Sequence, residues 1–464
     1  MSIAVSLDTA MRALIAQQAA IDAVSHNVAN VATPGYSRQR VRLNALPPVS
    51  GFFATPAAGR GVEVVGVERM RDLFIDFQIR IANHSSGRHE ARATSLQRVE
   101  IALGEPSESG LRAAMNRFWN AWRDLANSPD STPARTTVLE TARTLATTFS
   151  TVRSSLTQLR TQADARIKAA AAEINSLTSE IASLNKGVAD LVASGGGASD
   201  LQDTRDLALD RLSTLLDVQY IQRDDGWVDV TIAGRSLVRG AQSFDIYGDP
   251  DILNSNYVDL KFVADDAAVT VTSGLVGGLL EQRDTFIGGR ITELDSLAGE
   301  IITDVNALHA AGRGLDGSTG NAFFAGTDAS NVAVAAGIVA DLATIAAATN
   351  WDVANGTPPG DGTNADAITD LQYATQAALA NGTYNSFFEG IVGTVASAAR
   401  EANQLALGQG QLVQQLEQVR QSTAGVNLDE EMINLTRYQR AFQAAARVIA
   451  VVDEMLDQLI NRTI

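Results

Sequence analysis

Residues 428–459, LDEEMINLTRYQRAFQAAARVIAVVDEMLDQL, decide the fold. Leu428, Leu435, Phe442, Ile449 and Leu456 recur every seven residues, and Tyr438, Ala445, Val452 and Leu459 follow the later four by three positions. Such a double row is the seam of a coiled coil. At 1.5 Å per residue the helix is about 48 Å long, more than one small domain needs to close itself, so it requires a partner.

The first thirty residues match it. Leu7, Leu14, Ile21 and Val28 are again seven apart, with Ala10, Val24 and Val31 three positions on and Gln17 interrupting the second row. A helix this thin and this weakly charged buries too little surface to stand alone. Two readings follow from periodicity: an antiparallel pair that closes an ordinary globular domain, or a seam used in assembly.

Asn27-Val28-Ala29-Asn30 leads into Thr33-Pro34-Gly35-Tyr36, where Pro34 disfavours helix at Thr33 and Gly35 permits a turn, so the first helix ends by about Ala32. Alternation from Arg38 to Leu43 and again through Val62, Val64 and Val67 predicts a small β excursion split by Pro47-Pro48. Helix resumes at Arg71–Ala82. Leu111, Met115, Phe118, Trp119, Trp122 and Leu125 form one helix face behind an N-cap expected at Ser109, the tryptophans as packing residues. From Pro133 to Leu191 a seven-residue spacing predicts a long rod-like helix or helix pair, broken at Gly195-Gly196-Gly197. Another helix spans Asp200–Leu216.

At Val218 the period becomes two, through Val228/Val230/Ile232 and Val258/Leu260/Phe262, with turns at Asp224-Asp225-Gly226 and Gly248-Asp249-Pro250. Helix returns over Leu280–Leu308 and over Ile391–Val419. The fold class is therefore mainly α with an inserted β domain: paired N- and C-terminal coiled-coil helices, a long-helix bundle and a small antiparallel β domain. The expected units are 1–36 with 426–464; 37–217 with 276–326 and 385–425, including the β excursion near 38–68; 218–275; and a mixed Gly/Ala-rich insertion at 327–384.

Chemistry is conspicuous by its absence. The 464 residues carry a net charge of −17 and no cysteine, which argues against a nucleic-acid partner and removes disulfides and thiolates. No apolar run reaches the roughly 20 residues of a membrane span, and no cleavable secretory signal opens the chain. His26, His84, His89 and His309 are too scattered for a helix-borne zinc pair, and His84 with His89 reads as a solvated helix start. Gly312-Arg313-Gly314-Leu315-Asp316-Gly317 has GxGxxG spacing but follows a helix rather than a strand, so it reads as a C-cap and loop. No catalytic, cofactor-binding or metal-binding residue is expected, and no cofactor.

The terminal motifs resemble the axial proteins of the bacterial flagellum, the rod, hook and hook-associated family. Asn27, Asn30, Thr33, Pro34, Gly35 and Tyr36, with Ser37 and Arg38, are similar to the family's N-terminal signature, although Ala32 stands where asparagine is common. Gly425-Val426-Asn427-Leu428-Asp429-Glu430-Glu431, with Asn434-Leu435 and Tyr438-Gln439, resembles the hook-associated branch more than hook protein. Gly61-Val62, Arg69, Asp72, Phe74, Gln78 and Arg80, and Asp203 with Arg205-Asp206, agree internally. The resemblance implies a non-enzymatic structural subunit between hook and filament, exported through the flagellar type III apparatus, cytoplasmic before export and extracellular after it. It implies self-association in a ring or tube, with hook protein, hook-associated protein 3 and an export chaperone as partners. The assembly interface expected from the seams is Leu7, Leu14, Ile21 and Val28 against Leu428, Leu435, Tyr438, Phe442, Ile449, Val452, Leu456 and Leu459, with Asn27, Asn30, Thr33–Tyr36, Asn427, Asp429 and Glu430 as motif residues. The alternatives are a hook or distal rod protein, an intracellular coiled-coil scaffold, and a junction protein whose insertion carries an added activity.

Overall fold

A computed structural model describes residues 3–47, 59–223, 225–350 and 360–461. Helix α1 (Ile3–Ala29) opens the chain and gives way to the Thr33–Gly35 turn, where Gly35 takes φ 80°, a left-handed conformation that a glycine adopts without penalty. Strands β1 (Gln39–Ala45) and β2 (Val62–Arg69) then pair antiparallel from Gln39↔Arg69 to Ala45↔Val62.

Helix α2 (Leu73–Leu103) is capped by Asp72, whose side chain accepts from the Phe74 and Ile75 amides. It runs well past the expected end at Ala82. His84 and His89 thus lie within it rather than at a solvated start; His84 Nε2 and His89 Nδ1 are buried without a hydrogen-bond partner among the described residues, and burial lowers the His84 pKa. Gly87 permits a close crossing, since a Cβ there would strike the Thr214 carbonyl. Helix α3 (Leu111–Asn127) starts behind Gly110, not Ser109. The side chain that satisfies its first turn comes from upstream: Glu105 accepts from the Arg112 and Ser107 amides at 3.2 and 3.1 Å.

Helix α4 (Thr132–Ala193) is one 62-residue rod, about 93 Å long, and it runs through two separate cores. Its first half packs Val138, Phe149 and Leu156 against Phe118, Trp119 and Trp122 of α3. The second half packs Ile167, Ile174 and Ile181 against α5 (Ser199–Leu215) and the inner faces of the β region. There β3 (Gln219–Gln222), β4 (Val228–Ile232), β5 (Arg235–Arg239) and β6 (Gln242–Ser243) form an antiparallel sheet in chain order. Strands β7 (Ile246–Asp251) and β8 (Tyr257–Phe262) make a separate antiparallel pair.

Helix α6 (Gly274–Leu280) continues through a π-helical turn, Glu281–Ile287, into α7 (Gly288–Ala311). α7 ends at the cap Gly312, so the GxGxxG stretch is a helix end and loop. Beyond it, β9 (Phe324–Ala325) pairs with β10 (Ala333–Val334), and α8 (Ala336–Ala340) and α9 (Thr363–Asp370) follow. This stretch is held to the bundle by buried polar groups. His309 Nδ1 lies 2.7 Å from the Asn321 carbonyl while Nε2 accepts from the Ala346 amide at 3.0 Å, and Arg135 donates to the carbonyls of Pro129, Leu342 and Ile345. Burial lowers the Arg135 pKa to about 10. Helix α10 (Tyr384–Ala424) packs along α2 and returns the chain to its start, where α11 (Leu428–Asn461) lies along α1.

Candidate assembly interface

The two ends of the chain form one antiparallel pair, α1 with α11. On α1 the deepest positions are Ala10, Ala16, Ala20, Ala23, Val24 and Asn27, most of them alanine. Leu7, Leu14, Ile21 and Val28 flank that row and are half-buried. On α11 Val452 is buried, and Leu435, Tyr438, Phe442, Ile449 and Leu456 are half-buried. Leu428 stands 46% exposed in the first turn, and the side chain of Leu459 lies outside the described residues. A second apolar row faces away from the pair: Met11 and Ile15 on α1, and Ile433, Val448, Val451 and Met455 on α11.

A buried polar node seals the pair to the body. Asn27, 1% exposed, uses every hydrogen-bonding position of its amide. Its Nδ2 donates to Glu431 Oε2 at 3.0 Å and to the Gln39 carbonyl at 2.9 Å. Its Oδ1 accepts from Tyr36 Oη at 2.7 Å and from the Gln39 amide at 2.8 Å. Burial, then the charges of Asp200, Asp203 and Glu431, raises the Tyr36 pKa, which keeps the hydroxyl a donor. Asn30 shapes the turn by accepting from Thr33 Oγ1 at 3.1 Å. Across the node, Arg38 reaches Glu430 at 2.9 Å and Glu431 at 2.6 Å, and its amide donates to the Ala424 carbonyl at 2.8 Å. Asn427 caps α11 by accepting from the Asp429 and Glu430 amides. Asp429, Glu430 and Glu431 occupy that first turn, where the helix dipole favours negative charge.

Behind the node lies an ionic cluster on β2, α2, α5 and α10. Arg69 contacts Asp203 and Asp206, each at 2.8 Å. Arg71 clamps Asp76 at 2.6 and 3.2 Å and approaches Asp206 at 3.3 Å. Arg80 bridges Asp206 and Asp210 at 3.1 and 2.8 Å, and Arg420 reaches Asp210 at 2.6 Å. Ser37 donates its amide and hydroxyl to Asp203. Burial by itself raises the Asp206 carboxyl, but Arg71, Arg80 and Arg69 hold it down at about 2. Buried charges are tolerable only when paired this completely.

Thus the two motif sets, far apart in sequence, meet at one place: Asn27, Asn30, Thr33–Tyr36 on one side and Asn427, Asp429 and Glu430 on the other. Sequence reasoning singled out Arg69, Arg80, Asp203 and Asp206 only by resemblance, and did not place Ser37, Arg71, Asp76, Asp210 and Arg420 in a cluster or pair Glu431 with Asn27. The available signal was Asp203, Asp206 and Asp210 at helical spacing beside the buried Leu209 and Leu212, a stripe that demands cations.

Three family models match along the chain: "Flagella basal body rod protein" over residues 7–36, "Flagellar hook-associated protein FlgK helical domain" over 96–324 and "Flagellar basal body rod FlgEFG protein C-terminal" over 418–462. Flagellar hook-associated protein 1 of Bacillus subtilis (strain 168) is 32% identical, over 98% of this chain and 97% of the relative. The chain belongs to the flagellar hook-associated protein 1 family. Members from Salmonella typhimurium and Escherichia coli (strain K12) are each 26% identical over 98% of this chain and 99% of their own length. The flagellar hook junction protein FlgK of Burkholderia pseudomallei shares the fold, with a TM-score of 0.66 at 18% identity over 75% of this chain and all of that one. As a member of the family, the chain is an axial structural protein of the extracellular flagellum. No helix among the described residues is long and apolar enough to cross a membrane.

Proposed function

We propose that this chain is the subunit that joins hook to filament, assembling in a ring or tube through its terminal helices. One observation carries the reading: α1 and α11 satisfy each other along one stripe and turn a second apolar row outward, as a subunit completed by its neighbours requires. Residues 1–36 with 426–464 form the inner layer, with hook protein on one side and hook-associated protein 3 on the other. The role is structural, without catalysis. Before assembly the chain is cytoplasmic and held by an export chaperone, for which α11 is the natural site because its outward row is uncovered; it leaves through the flagellar type III apparatus.

Electron microscopy of a strain deleted for the chain, with flagellin assayed in the medium, tests this. Bare hooks with soluble flagellin outside are expected. Missing hooks would instead indicate a hook or rod component, and intact attached filaments would overturn the junction role.

A further inference from the structure

The turn between β7 and β8 presents Ile252 and Leu253 to solvent, 84% and 96% exposed, and yet it is tightly held. Asp251 accepts from the Leu253 amide at 2.9 Å, and the Asn256 amide donates to the Asp251 carbonyl at 2.8 Å. Asn254 donates to Asp284 at 2.9 Å and accepts from Arg160 at 3.0 Å, which ties the turn to the π-helical segment and to α4. Two large aliphatic side chains on a turn fixed from both sides are a preorganised knob, because little freedom remains to be lost when they bind.

A groove suited to such a knob lies elsewhere on the same helix. It has a volume of about 460 Å³, its floor includes Leu103 and Val152, Thr144 and Thr148 stand in its wall, and its one charged lining residue is Arg143. Arg160, Thr161 and Asp164 of α4 touch the β7–β8 pair, whereas the groove's α4 residues run from Arg143 to Val152, at least about 12 Å away along the helix. Neither Ile252 nor Leu253 lines the groove, so the chain does not fill its own groove.

We infer that the Ile252–Leu253 knob of one copy seats in the groove between the end of α2, the loop after it and α4 of the next copy in the ring. A contact between two different surfaces of identical chains is head-to-tail, and it closes a ring when its rotation closes. Charge agrees with this occupant: Asp251 adjoins the knob, and Arg143 at the groove makes an exposed pair with Glu140, which is readily exchanged. The inference rests on the ring assembly proposed above and names its outer lateral contact.

The test uses the absence of native cysteine. Leu253→Cys and Thr144→Cys are introduced in one full-length chain, hook–filament structures are isolated from motile cells, and a short bis-maleimide is added. A ladder of cross-linked multimers is expected for the double variant and none for either single variant. Structures that contain the chain and keep their filaments, but give no ladder above the single variants, overturn the knob contact and leave the junction reading intact. Absence of the cysteine-free chain from isolated structures overturns the junction reading and this contact with it. In a second variant, Ile252→Ser with Leu253→Ser, circular dichroism and melting of the monomer stay unchanged while filaments shed under lower shear; unchanged shear resistance counts against the contact.

Discussion

The α3–α4 core and the α1–α11 pair are both helix packings, but they differ in how far burial is carried. Phe118, Trp119 and Trp122 are completely enclosed and ring-packed with Phe323, Phe324 and Tyr384. Along α1 and α11 the large side chains stop half-way, and among the described residues only alanines, Val24, Asn27, Glu431 and Val452 are fully covered. The body is finished by itself; the ends leave apolar side chains uncovered. Full packing gives a monomer its stability, and partial packing gives it a surface to share.

Several substitutions break or sharpen that contrast. The largest effect is expected in the body: Trp122→Ala should remove about 3–5 kcal/mol from monomer unfolding measured in denaturant. If the ends were an equally closed domain, Phe442→Ala would destabilise the monomer nearly as much. A change under about 1 kcal/mol, together with failure to enter flagella, is expected instead. Phe442→Asp with Ile449→Asp should abolish incorporation, and normal filament attachment by that variant would refute the seam.

At the boundary between the two regions, Arg71→Ala takes from the buried Asp76 its two-pronged partner, leaving it Arg420 at 3.5 Å while Asp206 keeps Arg69 and Arg80, and should cost about 3 kcal/mol, read from chemical denaturation. A softer probe is Glu431→Ala, which removes one of the four hydrogen bonds of the Asn27 amide and one of the two carboxylates of Arg38. Amide exchange should then rise along α1 and α11 while α3 and α4 stay protected; equal loosening of both would mean that the node belongs to the body. Acid acts on the same boundary. Because the folded Asp206 carboxyl is held at about 2, below its usual value near 4, its contribution is present at pH above about 4. It is lost as pH falls from there through about 2, amounting to about 2 kcal/mol. Urea midpoints across that window measure it. The smallest effect belongs to Leu428→Ser, within about 0.5 kcal/mol, since that side chain is exposed already.

Signals carried within one element were legible in the sequence. The heptads of α4 and α11, the aromatic face of α3, the turn at Pro34-Gly35 and the period-two stretch after Val218 each declare themselves over a few turns. What could not be read there depends on partners far away in the chain. Nothing near Ser109 shows that Glu105 will reach round to satisfy α3, and nothing near His84 shows that α2 runs on to Leu103 between α5 and α10. On α1 the leucines and isoleucine carry the periodic signal, but the positions buried deepest are Ala10, Ala16, Ala20 and Ala23, residues that carry little hydrophobic signal. The stretch 342–348 has no period because its main-chain groups are held by His309, Arg135 and Asn364.

Asn27 and Glu431 are 404 residues apart. Closing a loop of that length by chance costs about 5 kcal/mol in chain entropy, so the contact forms only once the intervening elements have brought its two sides together. A chain truncated anywhere before residue 431 leaves the Asn27 amide one hydrogen bond short and α1 without a mate, however well its middle has folded. The first and last helices are thus joined by a contact that only a chain reaching residue 431 can make.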